Sequence, residues 1–248
     1  MVKLDYHIIK GAVNAVLRRY SGGRHRPVFL DIEQASPALH HVTSAYPVIR
    51  SEFESIFVQN LRVPNYQAID PGEEEIASVD PHKSWKVFML YLLGHKPGRN
   101  RAQCPQTCAA LQRVPNVIQA FFSILEPGKS VPLHEGPYLG YLRYHLALRV
   151  PRQDPPRIVI HSQPYTWREG EAVLFDDSWP HEVINHSREI RAVLIVDVLR
   201  PLPWVPQLLN RFMTFLARHT YGRKVAARIE HESRWPEHSI QRPVANAA

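Results

Sequence analysis

Apolar residues recur at helical spacing near both ends of the chain and at strand spacing between them. Leu4, Ile8, Ile9, Val13 and Leu17 share one face of a helix predicted over residues 3–20, which Ser21-Gly22-Gly23 closes. Residues 36–62 carry a mixed helical pattern that includes Ile49, Phe53 and Phe57. Pro71-Gly72 before Glu73, Glu74 and Glu75 reads as a solvated loop, 85–91 as an aromatic-rich strand, and 95–105 as a loop. Over residues 121–199 the period changes. Short apolar runs at 121–125, 141–150, 157–161, 172–175, 181–185 and 190–199 are separated by turn residues such as Pro127-Gly128 and Pro155-Pro156. Strands at this spacing predict a mainly β fold with flanking helices, built as a double-sheet jelly roll. The runs 146–150 and 192–199 are apolar on both faces and are expected to be buried. From Leu202 the helical period returns, with Val205, Leu208, Leu209, Phe212 and Phe215 on one face.

Composition narrows the setting. A chain of 248 residues, 44% of them hydrophobic, fits one large domain with a real core. No apolar run reaches the ~18 residues of a membrane span. Lys3 and Asp5 ahead of an amphipathic stretch do not make a signal peptide, so a cytoplasmic protein is expected. The net charge of +7 and pI near 9.5 admit an anionic partner. The basic residues are scattered outside the C-terminal tail, however, and no nucleic-acid motif accompanies them, so nucleic acid is not expected as a partner. Cys104 and Cys108 are too few for a disulfide framework and lack a second Cys/His pair at finger spacing. They read as reduced thiols.

The candidate chemistry lies in polar residues trapped among the strands. Arg191 opens an apolar run and shares a face with Val193 and Ile195. A buried guanidinium needs an anion, either an internal carboxylate such as Asp176 or Asp197 or a bound one. Arg143 and His145 are two apart and share a strand face, with Leu142, Tyr144, Leu146 and Leu148 on the other, as an ordinary surface strand would also show. Ser123 sits between Phe122 and Ile124, where a hydroxyl is often a packing detail. His134 and His181 stand at strand ends beside turn residues, the place of a barrel mouth. Neutral imidazoles there suit iron or zinc, although most histidines are structural and this chain has 14. The acid that completes a two-histidine, one-carboxylate triad belongs two residues after the first histidine, and that place holds Gly136.

Ser123-Ile124-Leu125-Glu126-Pro127-Gly128, His134-Glu135-Gly136-Pro137-Tyr138, Leu142-Arg143-Tyr144-His145-Leu146, Phe175-Asp176-Asp177-Ser178 with His181-Glu182-Val183, and Arg191 with Val196-Asp197-Val198 together resemble the aspartyl/asparaginyl β-hydroxylase family. The resemblance covers residues 115–202 and extends more weakly to Trp85-Lys86 and Cys104-Pro105-Gln106-Thr107. It implies a double-stranded β-helix, cupin-like, and an iron(II)- and 2-oxoglutarate-dependent dioxygenase that consumes O2 and releases succinate and carbon dioxide. The family uses two histidine ligands with glycine in the acid's place, so Gly136 agrees with it. By this resemblance His134 and His181 bind iron. Arg191 and Ser123 hold the distal carboxylate of 2-oxoglutarate, and Arg143 and His145 complete that pocket. Asp176-Asp177 either orients a ligand histidine or caps a turn.

A helical or mixed segment (1–110) is then expected to pack on a β-helix catalytic core (111–202), followed by a C-terminal helix and tail (203–248), all one structural unit. No substrate-presenting helical repeats of the eukaryotic kind precede the core, which favours a short stand-alone hydroxylase of bacterial type. The primary substrate is open among a protein side chain, a small molecule and a lipid. Residues 203–224, with Arg211, Arg218, Arg223 and Lys224 beside the apolar face, are a candidate for peripheral membrane contact. Two other readings compete: a zinc-dependent hydrolase with Glu135 or Glu182 as base, and a non-catalytic jelly-roll module that binds a di-acid.

Overall fold

The computed structural model describes residues 6–59 and 61–233. Leu4, the side chains of Ile8 and Ile9, and the tail beyond residue 233 lie outside the described residues. The chain begins with α1 (Tyr6–Tyr20) and passes through β1 (Phe29–Leu30) into α2 (Ile32–Ala35), α3 (His40–Ser44), α4 (Tyr46–Val58), α5 (Tyr66–Ile69) and α6 (Glu74–Ala77). β2 (Trp85–Leu92), α7 (Gly98–Gln103) and α8 (Pro105–Gln112) follow. Then come β3 (Val117–Leu125), β4 (Val131–His134), β5 (Tyr141–Arg149), β6 (Arg157–Ile160), β7 (Gln163–Thr166), β8 (Ala172–Phe175), β9 (His181–Ile184) and β10 (Arg191–Leu199). Two helices, α9 (Trp204–His219) and α10 (Tyr221–Glu232), end the described chain.

The strands form two antiparallel sheets, one ordered β1-β8-β5-β10-β3-β2 and the other β4-β9-β6-β7. Apart from the β6–β7 hairpin, each strand from β3 to β10 crosses to the opposite sheet. That winding is a double-stranded β-helix, mainly β with flanking helices, as the strand spacing predicts.

The two-residue period of the strands separates two cores. Phe121 and Leu125 of β3, Ala147 of β5 and Val193 and Ile195 of β10 pack between the sheets against Val131, Ile158, Ile160 and Val183. The alternate residues, Phe122, Ile124, Leu146, Leu148, Leu194 and Val196, pack outward under Val42, Ile49, Phe53, Ile56 and Leu111 of the helices. Of the runs expected to be buried, residues 146–148 and 192–198 are buried here, and Arg149, Val150 and Leu199 at the strand ends are partly exposed. Cys104 and Cys108 are free thiols inside the helical side of this second core.

Two predicted loops are partly helical. After Asp70, whose carboxylate accepts from the Gly72 amide at 3.0 Å, a turn over Pro71–Glu73 runs straight into α6. Within 95–105, α7 forms because β2 is an edge strand with free carbonyls: Asn100 Nδ2 donates to Met89 O at 2.9 Å, and Arg101 donates to Leu90 O at 3.2 Å. Besides the two-residue β1, two strands, β4 and β7, were not in the expected pattern. They are the edges of the four-stranded sheet and contain Pro132 and Pro164, which only an edge strand tolerates.

Candidate functional site

His134 ends β4 and His181 begins β9, and the two are register partners across the sheet. Their ring centroids lie 4.1 Å apart. Each ring engages Nδ1 with the carbonyl two residues earlier, His134 with Pro132 O at 2.7 Å and His181 with Trp179 O at 2.8 Å. A carbonyl only accepts, so Nδ1 carries the proton and Nε2 keeps its lone pair. Burial, with His134 adding to it, pushes the His181 pKa down to about 3, and burial lowers that of His134 as well. Two neutral imidazoles, each fixed through its second nitrogen, fit a divalent metal ion.

Gly136 has no room for a ligating carboxylate. A Cβ built there would stand 2.6 Å from the carboxyl of Asp177, which already fills that space. The Gly136 amide donates to Asp177 O at 2.8 Å, which fixes the approach. Asp177 Oδ2 accepts from Tyr141 at 3.1 Å and from Arg143 at 3.0 Å, while its Oδ1 has no partner. Burial, with Asp197 and Asp176 nearby, raises this carboxyl to about 7 in spite of Arg143. Arg143 also forks onto Asp197, with both bonds at 2.8 Å. Burial alone would lower its pKa, but the two carboxylates outweigh it and hold it well above the ordinary value.

Arg191 has no such company. It is 2% exposed and, among the described residues, no carboxylate lies within ion-pair reach of it. Its Nε has no partner, and Nη1 reaches only Ser123 Oγ at a long 3.5 Å. Asp197 and Asp176, the internal acids that sequence offered it, are committed elsewhere. Asp197 holds Arg143, and Asp176 holds Arg26 at 2.9 Å and Arg200 at 2.7 Å. The indole of Trp167 covers the guanidinium at 4.3 Å. Burial alone brings the Arg191 pKa down to about 9. Beside it, His145 is buried with neither ring nitrogen bonded, and burial, then Arg191 and Arg143, hold it neutral. Ser123 Oγ accepts from Trp85 Nε1 at 2.9 Å, so its own proton is free to donate. These groups form a buried, cationic, donor-rich recess in which, among the described residues, no carboxylate is paired with Arg191.

The recess and the imidazole pair are joined through Phe175, whose ring stands 4.9 Å from His145 and 6.4 Å from His181. The register explains the gathering. Ser123, Arg143, His145 and Arg191 all sit on the inward residues of β3, β5 and β10, with Ser123 opposite Val193 and His145 opposite Ile195. Glu182 follows His181 on β9 and takes the other strand face, and Glu135 is exposed. Neither lines the recess as a hydrolytic base would.

Residues 43–201 match the family model described as aspartyl/asparaginyl beta-hydroxylase. The chain belongs to the aspartyl/asparaginyl β-hydroxylase family. It is 38% identical over 185 residues to the ornithine lipid ester-linked acyl 2-hydroxylase of Rhizobium tropici, covering 74% of this chain and 65% of that protein. It is 34% identical over 122 residues to the aspartyl/asparaginyl beta-hydroxylase of Homo sapiens, covering 47% of this chain and 16% of that protein. The chain thus spans less than two thirds of the length of these relatives.

For a member of this family, all six site residues expected from sequence, His134, His181, Ser123, Arg143, His145 and Arg191, lie on one connected set of inward positions. Of the two roles weighed for Asp176-Asp177, the structure shows the turn cap; the ligand imidazoles are oriented by the Pro132 and Trp179 carbonyls, and the Asp177 carboxylate meets Tyr141 and Arg143. Asp176 Oδ1 caps the turn, accepting from the Ser178 amide at 3.1 Å and its hydroxyl at 2.6 Å, and Asp177 stands against Gly136. Trp167 was not found from the sequence. It lies in a short connection after β7, where no period marks an inward residue. Trp85 Nε1 could be placed on Ser123 only from the β2–β3 register, in which Val87 faces Ser123.

Proposed function

We propose that this protein is an iron(II)- and 2-oxoglutarate-dependent hydroxylase. The observation that carries the proposal is the unpaired Arg191. A buried guanidinium left alone costs several kcal/mol, about 3–5 when a partner is missing, so the recess is built for an anion that comes from outside. Arg191 and Ser123 would grip the distal carboxylate of 2-oxoglutarate, with Trp167 shielding the pair from water. His145 and the two unused N–H groups of Arg143 would receive the oxygens at the other end. His134 and His181 would hold iron(II) through Nε2. Bound there, the metal supplies the oxygen activation that couples 2-oxoglutarate, O2 and a substrate C–H to succinate, carbon dioxide and an alcohol. The chain's own work is to keep both imidazoles neutral, to align the two carboxylates of the co-substrate and to exclude water. The substrate is of one of the kinds its relatives are named for, a lipid-linked acyl chain or an aspartyl or asparaginyl side chain.

The test is succinate released from 2-oxoglutarate by the purified protein with iron(II), ascorbate and O2, beside the His134→Ala/His181→Ala variant. Succinate above that control is expected. No succinate together with no 2-oxoglutarate binding would sink the reading, and turnover sustained by zinc without 2-oxoglutarate would replace it with a hydrolase.

A further inference from the structure

Helix α9 is turned the wrong way for a helix that only packs on its own domain. Its buried side is Pro206, Asn210 and Met213. Trp204, Val205, Leu208, Phe212 and Phe215 point outward and are 52–77% exposed, where a surface helix ordinarily carries polar residues. Leu209 and Leu216, at the edge of that face, pack with Val13 and Leu17 of α1, which itself exposes Val16 and Tyr20.

The charges of α1 and α9 have one sign, and the two acids of α10, Glu230 and Glu232, are paired with His95 and Arg62. Neither α1 nor α9 contains an acidic residue. Arg18 and Arg19 of α1, Arg211 and Arg218 of α9, and Arg223 and Lys224 of α10 are exposed, and none of them forms an ion pair among the described residues. A second copy of the chain on this face would set cations against cations. An anionic bilayer meets both the apolar side chains and the charge. At 1.5 Å per residue α9 is about 24 Å long, and none of the described helices is long and apolar enough to cross a membrane, so it would lie in the interface plane.

The same helices hold the loop that leaves His134. Asn210 Nδ2 donates to Gly140 O at 2.7 Å, and Asn210 Oδ1 accepts from Tyr138 at 2.8 Å. Asn14 of α1 donates to Pro137 O and accepts from the Leu139 amide, both at 3.1 Å. The apolar face is therefore fixed to the chain segment between the imidazole of β4 and the recess residues of β5.

We propose that the outward face of α9, bounded by the cations of α1 and α10, docks the protein on an anionic bilayer and that its substrate is a lipid of that bilayer, the second half resting on the hydroxylase reading above. The docking is tested by flotation of the full chain with vesicles of phosphatidylcholine alone or mixed with phosphatidylglycerol, beside Phe212→Glu/Phe215→Glu and Arg211→Gln/Arg223→Gln. The wild type floats with the mixed vesicles, the phenylalanine variant binds about a hundred-fold more weakly, and the arginine variant binds more weakly to mixed vesicles with little change on neutral ones. No flotation of the wild type, or equal flotation of the phenylalanine variant, overturns the docking. So does a wild-type dimer that becomes a monomer in the phenylalanine variant without vesicle binding. Uncoupled succinate formation without lipid is expected to be the same in all three proteins. Flotation needs neither iron nor 2-oxoglutarate, so flotation without succinate formation fails the hydroxylase reading alone. For the substrate, mixed vesicles should raise succinate formation by the wild type and not by the phenylalanine variant, and no stimulation in a protein that floats overturns the lipid assignment.

Discussion

Arg143 and Arg191 stand on neighbouring strands of one sheet, and both face the space between the sheets, but they are kept in opposite ways. Around Arg143 the protein provides Asp177 and Asp197, so the guanidinium is neutralised from within and fixed in place. Around Arg191 it provides an indole, a hydroxyl and a neutral imidazole, and among the described residues no carboxylate. A cation matched by the fold contributes to the fold, whereas one left unmatched in a dry place is held ready for a ligand. Residue type alone does not distinguish them. What surrounds each charge does.

The strongest way to break this contrast is Arg143→Met. It leaves two buried carboxylates facing each other, and urea denaturation should show a loss of about 3–5 kcal/mol in unfolding free energy. A negligible loss would mean that Gln119, which donates to Asp197 at 2.6 Å, and Tyr141 suffice for the carboxylates, and the contrast fails. Arg191→Met should do the reverse. The ligand-free protein should be as stable as wild type or more so, while calorimetry should show 2-oxoglutarate affinity weakened by roughly 2–5 kcal/mol. A large loss of ligand-free stability would place Arg191 beside Arg143 as a fold residue.

The imidazoles give a smaller, pH-dependent test. The folded pKa of His181, about 3, is below the ordinary imidazole value, and those of His134 and His145 are lowered too. As pH falls below about 6.5 the unfolded chain takes up protons that the folded chain refuses, so stability is lost. In the metal-free protein the slope should approach about 1.4 kcal/mol per pH unit for each neutral imidazole, less the same amount for Asp177, whose carboxyl, raised to about 7, takes its proton first in the folded chain. A flat profile from pH 6.5 to 5 would show that these rings are solvated. Smallest is Ser123→Ala, which removes a neutral donor beside the cation and should weaken 2-oxoglutarate binding by about 1 kcal/mol in the same calorimetry.

How much of this was legible in the sequence depends on whether a residue obeys a local period. Ser123, Arg143, His145 and Arg191 lie in strands whose apolar neighbours alternate, so their shared faces could be read directly. That those faces are the same one follows only from the order β5-β10-β3, a long-range pairing that no local pattern carries. β4 and β7 escaped because an edge strand needs hydrogen bonds on one side only, and a proline there erases the usual signature. The partner of Arg191 was open for the same reason. Asp197 is six residues away along β10, but the register sets it opposite Arg143. The outward apolar face of α9 was visible as a stripe, and only packing could say which way the stripe turned.

Gly140 has a consequence for anyone rebuilding this protein. A Cβ there would stand 2.2 Å from both Asn210 Oδ1 and the ring of Tyr138, and the Arg200 amide also donates to its carbonyl at 2.9 Å. Loop and helix meet with no spare atom between them, so neither can be exchanged by itself. A chimera that imports a new α9 to change what the protein docks on must carry residues 136–140 with it, as one cassette.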